Sequence, residues 1–169
     1  MPAPAFILEL RRKVGHDLLL LPGLAAIVVD DAGRVLLQRR SDNGQWSPIC
    51  GVLEPGEQPE RAIERQVEEE TGLRVRAVRL ADAATSPVVE YPNGDRAQFL
   101  MVAYRCEICG DDGAAARVND DESLEVRFFP RDQLPPMRKD LRRYIDRACE
   151  PPSSSASASS RPLSSEGSA

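Results

Sequence analysis

The chain has 169 residues, 22 of them basic and 27 acidic, for a formal net charge of −5, and 41% are hydrophobic. This length suits one domain with a real core, and the acidic balance argues against a nucleic-acid-binding surface, which is normally basic. No apolar run approaches the ~20 residues of a membrane span, and Arg11, Arg12 and Lys13 follow the first apolar cluster instead of preceding it as in a signal peptide, so a cytoplasmic protein is expected.

In chain order, Ala5 to Val14 reads as a short amphipathic helix, with Phe6, Ile7 and Leu10 apolar and the basic cluster outside. It either packs on the core or makes a dimer contact. Leu18 to Val29 is rich in Leu, Ile and Val and ends in the turn Asp30-Asp31-Ala32-Gly33. Arg34 to Arg40 returns as a second strand, which predicts a hairpin. Arg39 and Arg40 are candidate substrate-phosphate ligands, because a guanidinium fork matches phosphate oxygens; surface charges at a strand end are the plainer alternative. Ser41 to Gly44 is loop. Trp46, the only tryptophan, leads into the next segment as a core-packing or substrate-site residue.

The most informative stretch is Gly51 to Leu73, GVLEPGEQPERAIERQVEEETGL. Pro55-Gly56 marks a turn, and Pro59 stands where a first helical residue is tolerated. Gly72 is a C-terminal stop, so the helix runs between them. At roughly 100° per residue, Ala62, Ile63 and Val67 share one half of the wheel with Gln66, Glu69 and Glu70. Arg61, Glu64, Arg65 and Glu68 fall on the other half. Carboxylates on the packing side are costly unless a cation meets them, and neighbouring acids repel, so a divalent metal is the economical explanation.

This stretch resembles the signature of the Nudix hydrolases, G-x5-E-x7-R-E-U-x-E-E-x-G-U with U aliphatic. Gly51, Glu57, Arg65, Val67, Glu69, Glu70, Gly72 and Leu73 stand in register, and Gln66 replaces the glutamate expected after the arginine. The Ser47-Pro48-Ile49-Cys50-Gly51 run also departs from the usual leucine-proline-glycine-glycine, keeping only the second glycine. The resemblance covers the box tightly and Leu18 to Asp146 loosely. It implies an α/β fold, a Nudix-type α/β/α sandwich with a mixed β-sheet and the box loop-helix at its metal site. The domain is expected over 1–149, with 1–17 as an N-terminal helical extension.

After the box, Leu73 to Leu80 alternates apolar and basic residues as a half-buried strand does. Val88 to Tyr91 and Ala97 to Arg105 flank Pro92-Asn93-Gly94-Asp95, a hairpin signal, whose Tyr91 and Asp95 either touch a base or ribose or simply make the turn. Cys106 and Cys109 have a zinc-like spacing, but no second pair accompanies them and His16 is the only histidine. With Cys50 and Cys149 they read as packing thiols. Gly110 to Asp121 is a polar loop, Glu122 to Phe129 a strand, Asp132 to Pro136 a turn, and Met137 to Ala148 a closing helix with Leu141 and Ile145 on one face. From Glu150 to the end the Ser/Ala/Pro-rich chain has almost no large apolar residues, and a disordered tail over 150–169 is expected.

The resemblance implies metal-dependent hydrolysis of the pyrophosphate bond of a nucleoside diphosphate derivative. ADP-ribose or a nucleotide sugar is favoured, and a nucleoside triphosphate stays open. Glu69 and Glu70 would ligate Mg2+ (Mn2+ as an alternative), helped by the Gly51 carbonyl. Glu57 would ligate or pair with Arg65, which holds the helix against the loop. Glu122 or Glu125 would complete the metal site or act as base. The implied partners are a small-molecule nucleotide and a second copy in a homodimer, with no nucleic acid and no membrane. An isoprenoid isomerase of this fold needs more histidines, and a messenger-RNA decapping enzyme a basic segment. Gln66 neither bridges metals nor accepts a proton well. It leaves three readings: an active enzyme with its base at Glu122 or Glu125, a substitution introduced to trap substrate, or a natural nucleotide-binding sensor.

Overall fold

A computed structural model of the chain describes residues 4–110, 116–119 and 121–151. The tail beyond residue 151 and most of the centre of the polar loop lie outside the described residues. Three α-helices are present among them, α1 (Ala5–Val14), α2 (Pro59–Thr71) and α3 (Lys139–Cys149), with a short 3-10 turn at Arg131–Gln133. Eight strands form one sheet: β1 (Leu19–Val29), β2 (Val35–Arg40), β3 (Trp46–Ser47), β4 (Ile49–Val52), β5 (Val75–Thr85), β6 (Val89–Glu90), β7 (Arg96–Ile108) and β8 (Ser123–Phe129). None of the described helices is long and apolar enough to cross a membrane.

β1 organises the sheet because every residue from Leu24 to Val29 is buried, a pattern that demands cover on both faces and neighbours on both edges. One edge pairs in parallel with β7, from Leu19↔Ala97 to Val29↔Glu107. The other edge is divided. β2 joins it only at Val29↔Val35, while β4 runs antiparallel from Gly23↔Val52 to Ala26↔Ile49. The expected hairpin is present at its turn, but its ladder ends there. After its turn β2 leaves β1 and completes ladders with β8 and β3. A turn is a local signal, whereas the ladder each strand completes depends on residues far along the chain.

Successive residues of β1 and β2 alternate between two cores, as the pleat requires. Leu24, Ala26, Val28 and Leu36 meet Ala62, Ile63 and Val67 of α2 on one face. Ala25, Ile27, Val29, Val35 and Leu37 meet Tyr144, Ile145 and Ala148 of α3 on the other. The result is the expected α/β/α sandwich around a mixed sheet, each fully buried Leu, Ile or Val contributing ~1.5–3 kcal/mol.

Three local expectations change. Only Ile7 of α1 is buried, against Leu21 and Ala97. Leu10 is exposed, while Arg11 turns inward and donates to the carbonyls of Gly15, Asp17 and Arg96. A cation suits the unsatisfied carbonyls at a helix C-terminus. Asp95 does not project freely from the hairpin tip. It lies 2.8 Å from His16 Nδ1 and 3.6 Å from Arg11, and the His16 hydrogen bond holds its carboxyl below the usual carboxylate range. β5 runs past Leu80 to Thr85 through register shifts at Ala77/Arg79 and Leu80/Asp82.

The first shift lets Arg79 cap α3. Its Nη2 donates to the carbonyls of Arg147 at 3.2 Å, Ala148 at 2.8 Å and Glu150 at 2.7 Å. Arg79→Ala strips three acceptors of a charged donor and is expected to destabilise the domain by about 1.5–3 kcal/mol, read as a lower urea midpoint with an unchanged slope. An unchanged midpoint would show the C-terminus of α3 to be held by other contacts.

Candidate functional site

Local chemistry fixes both ends of α2. Pro59 occupies its first turn, and Gly72 closes it at φ 71°, donating its N–H to the Glu68 carbonyl at 2.8 Å. Glycine is favoured at that left-handed position. Gly51 is constrained differently, because a Cβ there would overlap the Gln66 carboxamide. The helix side chain comes down onto the bare backbone of the loop.

Arg65 joins loop to helix. Its Nε and Nη2 donate to the two Glu57 carboxylate oxygens at 3.0 and 3.1 Å, and its Nη1 donates to Glu69 at 2.9 Å. Burial alone would lower the Arg65 pKa, but the two carboxylates outweigh it and the pKa is raised. These pairs are part exposed, so each adds little stability. What the bidentate fork supplies is orientation.

Gln66 and Glu70 face inward, 2% and 1% exposed. Gln66 Nε2 donates to the Val52 carbonyl at 3.2 Å, and its Oε1 is buried with no hydrogen-bond partner. Arg40, paired with Asp42 at 2.7 Å, lies within electrostatic reach of Glu70 and Cys50. The Asp42 hydrogen bond raises its pKa against the opposing effect of burial.

Two positions on the helix differ from the wheel. The wheel puts Glu69 on the packing half, yet its side chain is 54% exposed: Arg65, one turn earlier, draws it outward. The wheel puts Glu64 outside, yet its carboxylate accepts the Ala77 N–H at 3.1 Å, serving the strand where the β5 ladder is irregular.

The sheet separates the remaining candidates. Trp46 packs edge-on against Phe129, centroids 4.9 Å apart, in the core under α3. Arg39 is paired in register with Trp46 and with Glu125. Arg127 lies 5.7 Å from the Trp46 ring centroid and 3.6 Å from Glu125, whereas Val126 and Phe128 pack toward α2. Arg39, Trp46 and Glu125 therefore share the face opposite the box. Glu122 is half-buried just before β8, its carbonyl accepting the Ser41 N–H at 2.8 Å. A groove of about 700 Å³ lies along α3 between Leu134–Met137 and Arg142, away from the box.

Among the described residues the four cysteines are free and belong to no cluster of three or more metal-ligating side chains. Cys106 is buried in β7 and Cys109 exposed beyond it, and burial pushes the thiols of Cys50 and Cys106 up to about 12. Brief iodoacetamide treatment at pH 8 is expected to label Cys109 ahead of Cys50 and Cys106, since the thiolate is the nucleophile. Peptide mass spectrometry checks this, and equal labelling of Cys106 would contradict it.

Among the described residues, no three His, Cys, Asp or Glu side chains are gathered around one point, since Glu57 and Glu69 are drawn to Arg65. The donor chemistry nonetheless fits a hard divalent cation: the orphaned Gln66 Oε1, the adjoining Gly51 backbone and the two successive carboxylates are all oxygen donors. With Gln66 the set carries one charge fewer than a glutamate would give it. Sequence reasoning missed Asn119, which bonds the last turn of α2; nothing in a polar loop marks it out.

The chain matches the NUDIX domain over residues 19–148. It is 40% identical over 111 residues to a MutT-like protein of Streptomyces ambofaciens, covering 66% of this chain and 64% of that protein. It is 33% identical over 132 residues to the NAD-capped RNA hydrolase NudC of Chromobacterium violaceum, covering 75% of this chain and 46% of that one. It thus spans about half to two thirds of the length of these relatives. Among solved structures, a UDP-X diphosphatase superposes with a TM-score of 0.61 at 22% identity, over 85% of this chain and 68% of that one, a likeness of fold.

Proposed function

The chain belongs to the Nudix family, and from that membership we propose that it hydrolyses the pyrophosphate bond of a nucleoside diphosphate joined to a second group. The products would be a nucleoside monophosphate and a phosphorylated remainder. The observation that carries this reading is the Arg65 bridge, which ties Glu57 of the loop to Glu69 of the helix next to the inward-facing Glu70.

Nudix hydrolases generally use divalent metal ions, and Mg2+, or Mn2+ in its place, is the ion proposed for this site. When bound, it neutralises charge on the pyrophosphate oxygens and lowers the pKa of water. Glu69 and Glu70 would hold it, with the Gly51 carbonyl and Gln66 Oε1 as neutral donors. Arg65 keeps the carboxylates oriented. Arg40, on the Glu70 side, is the guanidinium offered to a substrate phosphate. Arg39 and Trp46 take no part, because they share the other face of the sheet. Gln66 cannot take a proton from water, so the base is assigned to Glu122. Glu125 is set aside because it lies with Arg127 and Trp46 on the far face.

The names of relatives and fold neighbours widen the substrate panel. ADP-ribose and a UDP-sugar are joined by NAD and an NAD-capped RNA. Release of nucleoside monophosphate in Mg2+, followed by ion-exchange chromatography, tests the reading against ATP as the triphosphate control. Faster turnover of a diphosphate-linked substrate than of ATP is expected, and the reverse would overturn the substrate class. The buried Gln66 favours one second reading, a nucleotide-binding regulator. Tight binding with no turnover of any member of the panel would establish it in place of the first.

A further inference from the structure

The loop ahead of β8 is fastened to the last turn of α2 by three donors. Asn119 Nδ2 donates to the Glu69 carbonyl at 2.9 Å, the Asn119 N–H to the Glu70 carbonyl at 3.1 Å and the Arg117 N–H to the Thr71 carbonyl at 3.1 Å. The last carbonyls of a helix have no acceptor role within it, so an external set of N–H groups decides how that turn is held. Two of the three carbonyls belong to the residues whose carboxylates carry the proposed metal chemistry. The Arg117 guanidinium stands over the same end, its Nε 3.4 Å from where a Cβ on Gly72 would be, a cation at the negative pole of the helix.

We propose that Asn119 is a positioning residue: through the Glu69 carbonyl it fixes the last turn of α2, and with it the aim of the Glu69 and Glu70 carboxylates. It also links that turn to the segment that runs on to Glu122, itself tied to Ser41 through its carbonyl. The inference rests on the proposed function, since it takes those carboxylates to be the metal ligands. Asparagine suits the task because its carboxamide donates, whereas an aspartate would set oxygen against the Glu69 carbonyl. Alanine and aspartate both keep the backbone N–H that bonds to Glu70, so the loop stays docked while the side-chain bond is lost.

The test is Mn2+ binding to the full chain without substrate, followed by the free-ion electron paramagnetic resonance signal, for wild type, Asn119→Ala and Asn119→Asp. Thermal unfolding is measured alongside. Groups that orient metal ligands from behind affect affinity by ~10–100-fold, and a loss of roughly tenfold is expected for Asn119→Ala. Asn119→Asp should bind more weakly still, and the thermal midpoint of the alanine variant should hold. A lowered midpoint with unchanged Mn2+ affinity would make Asn119 a helix cap alone and overturn the inference. Equal binding by all three proteins would also overturn it while leaving the metal reading standing. A wild-type chain that leaves Mn2+ free would overturn the metal reading, and this inference with it.

Discussion

Gln66→Glu raises Mg2+-dependent turnover by ~10²-fold or more, because it restores the missing carboxylate charge to the set proposed to hold the metal, worth several kcal/mol of charge stabilisation in the transition state, and at the same time lowers the stability of the metal-free protein. Both effects follow from where the side chain sits. Gln66 is buried against Gly51 and donates to the Val52 carbonyl. A glutamate in that place loses the donor, opposes a carboxylate to a carbonyl and buries a charge, a penalty of about 1–3 kcal/mol. A divalent cation reverses the sign, because the same oxygens then face opposite charge. Bound ligand stabilises the folded state by an amount that grows with the logarithm of its affinity, so Mg2+ should raise the thermal midpoint of the variant more than that of this chain. Equal turnover by the two proteins across an Mg2+ titration would show that charge at residue 66 has no part in the site. A midpoint insensitive to Mg2+ in both would remove the metal from this site.

Glu70→Gln is expected to cost turnover ~10²-fold or more, the loss of several kcal/mol of charge stabilisation in the transition state. The substitution is close to isosteric at a position 1% exposed, so folding should survive. It would leave Glu69 as the one carboxylate of the 66–69–70 set. Glu69→Gln should be milder, because Glu69 is half in solvent and its bond to Arg65 is one of several that Arg65 makes. The ranking is read from kcat across an Mg2+ titration. A Glu70→Gln protein with full activity at low Mg2+ would show that the inward carboxylate has no part in the reaction.

The box was legible because its punctuation is local. Pro59 and Gly72 act through their own backbone preferences, and α2 begins and ends at them. The two cores were not legible in β1, because its continuous run of apolar residues signals burial without saying which residue faces which helix. Glu69 and Glu64 escaped because a helical wheel knows angles but not neighbours: Arg65 takes one outward and an irregular strand claims the other. The departure of β2 from β1 escaped because a turn does not specify which distant ladder follows it. Glu122 and Glu125 were inseparable by spacing, and only the pleat of β8, with Val126 toward α2 and Arg127 toward Trp46, sets them apart. The net charge spoke to an RNA body and not to a capped end. NAD therefore joined the panel only through the names of relatives.

The most direct test follows nucleoside monophosphate release by the full chain from its best diphosphate-linked substrate, in Mg2+ and in EDTA, beside Glu70→Gln and Gln66→Glu. Release that vanishes on chelation, falls in Glu70→Gln and rises in Gln66→Glu is the predicted result. Release that persists in EDTA, or that is the same in all three proteins, would contradict a metal-dependent reaction at the box.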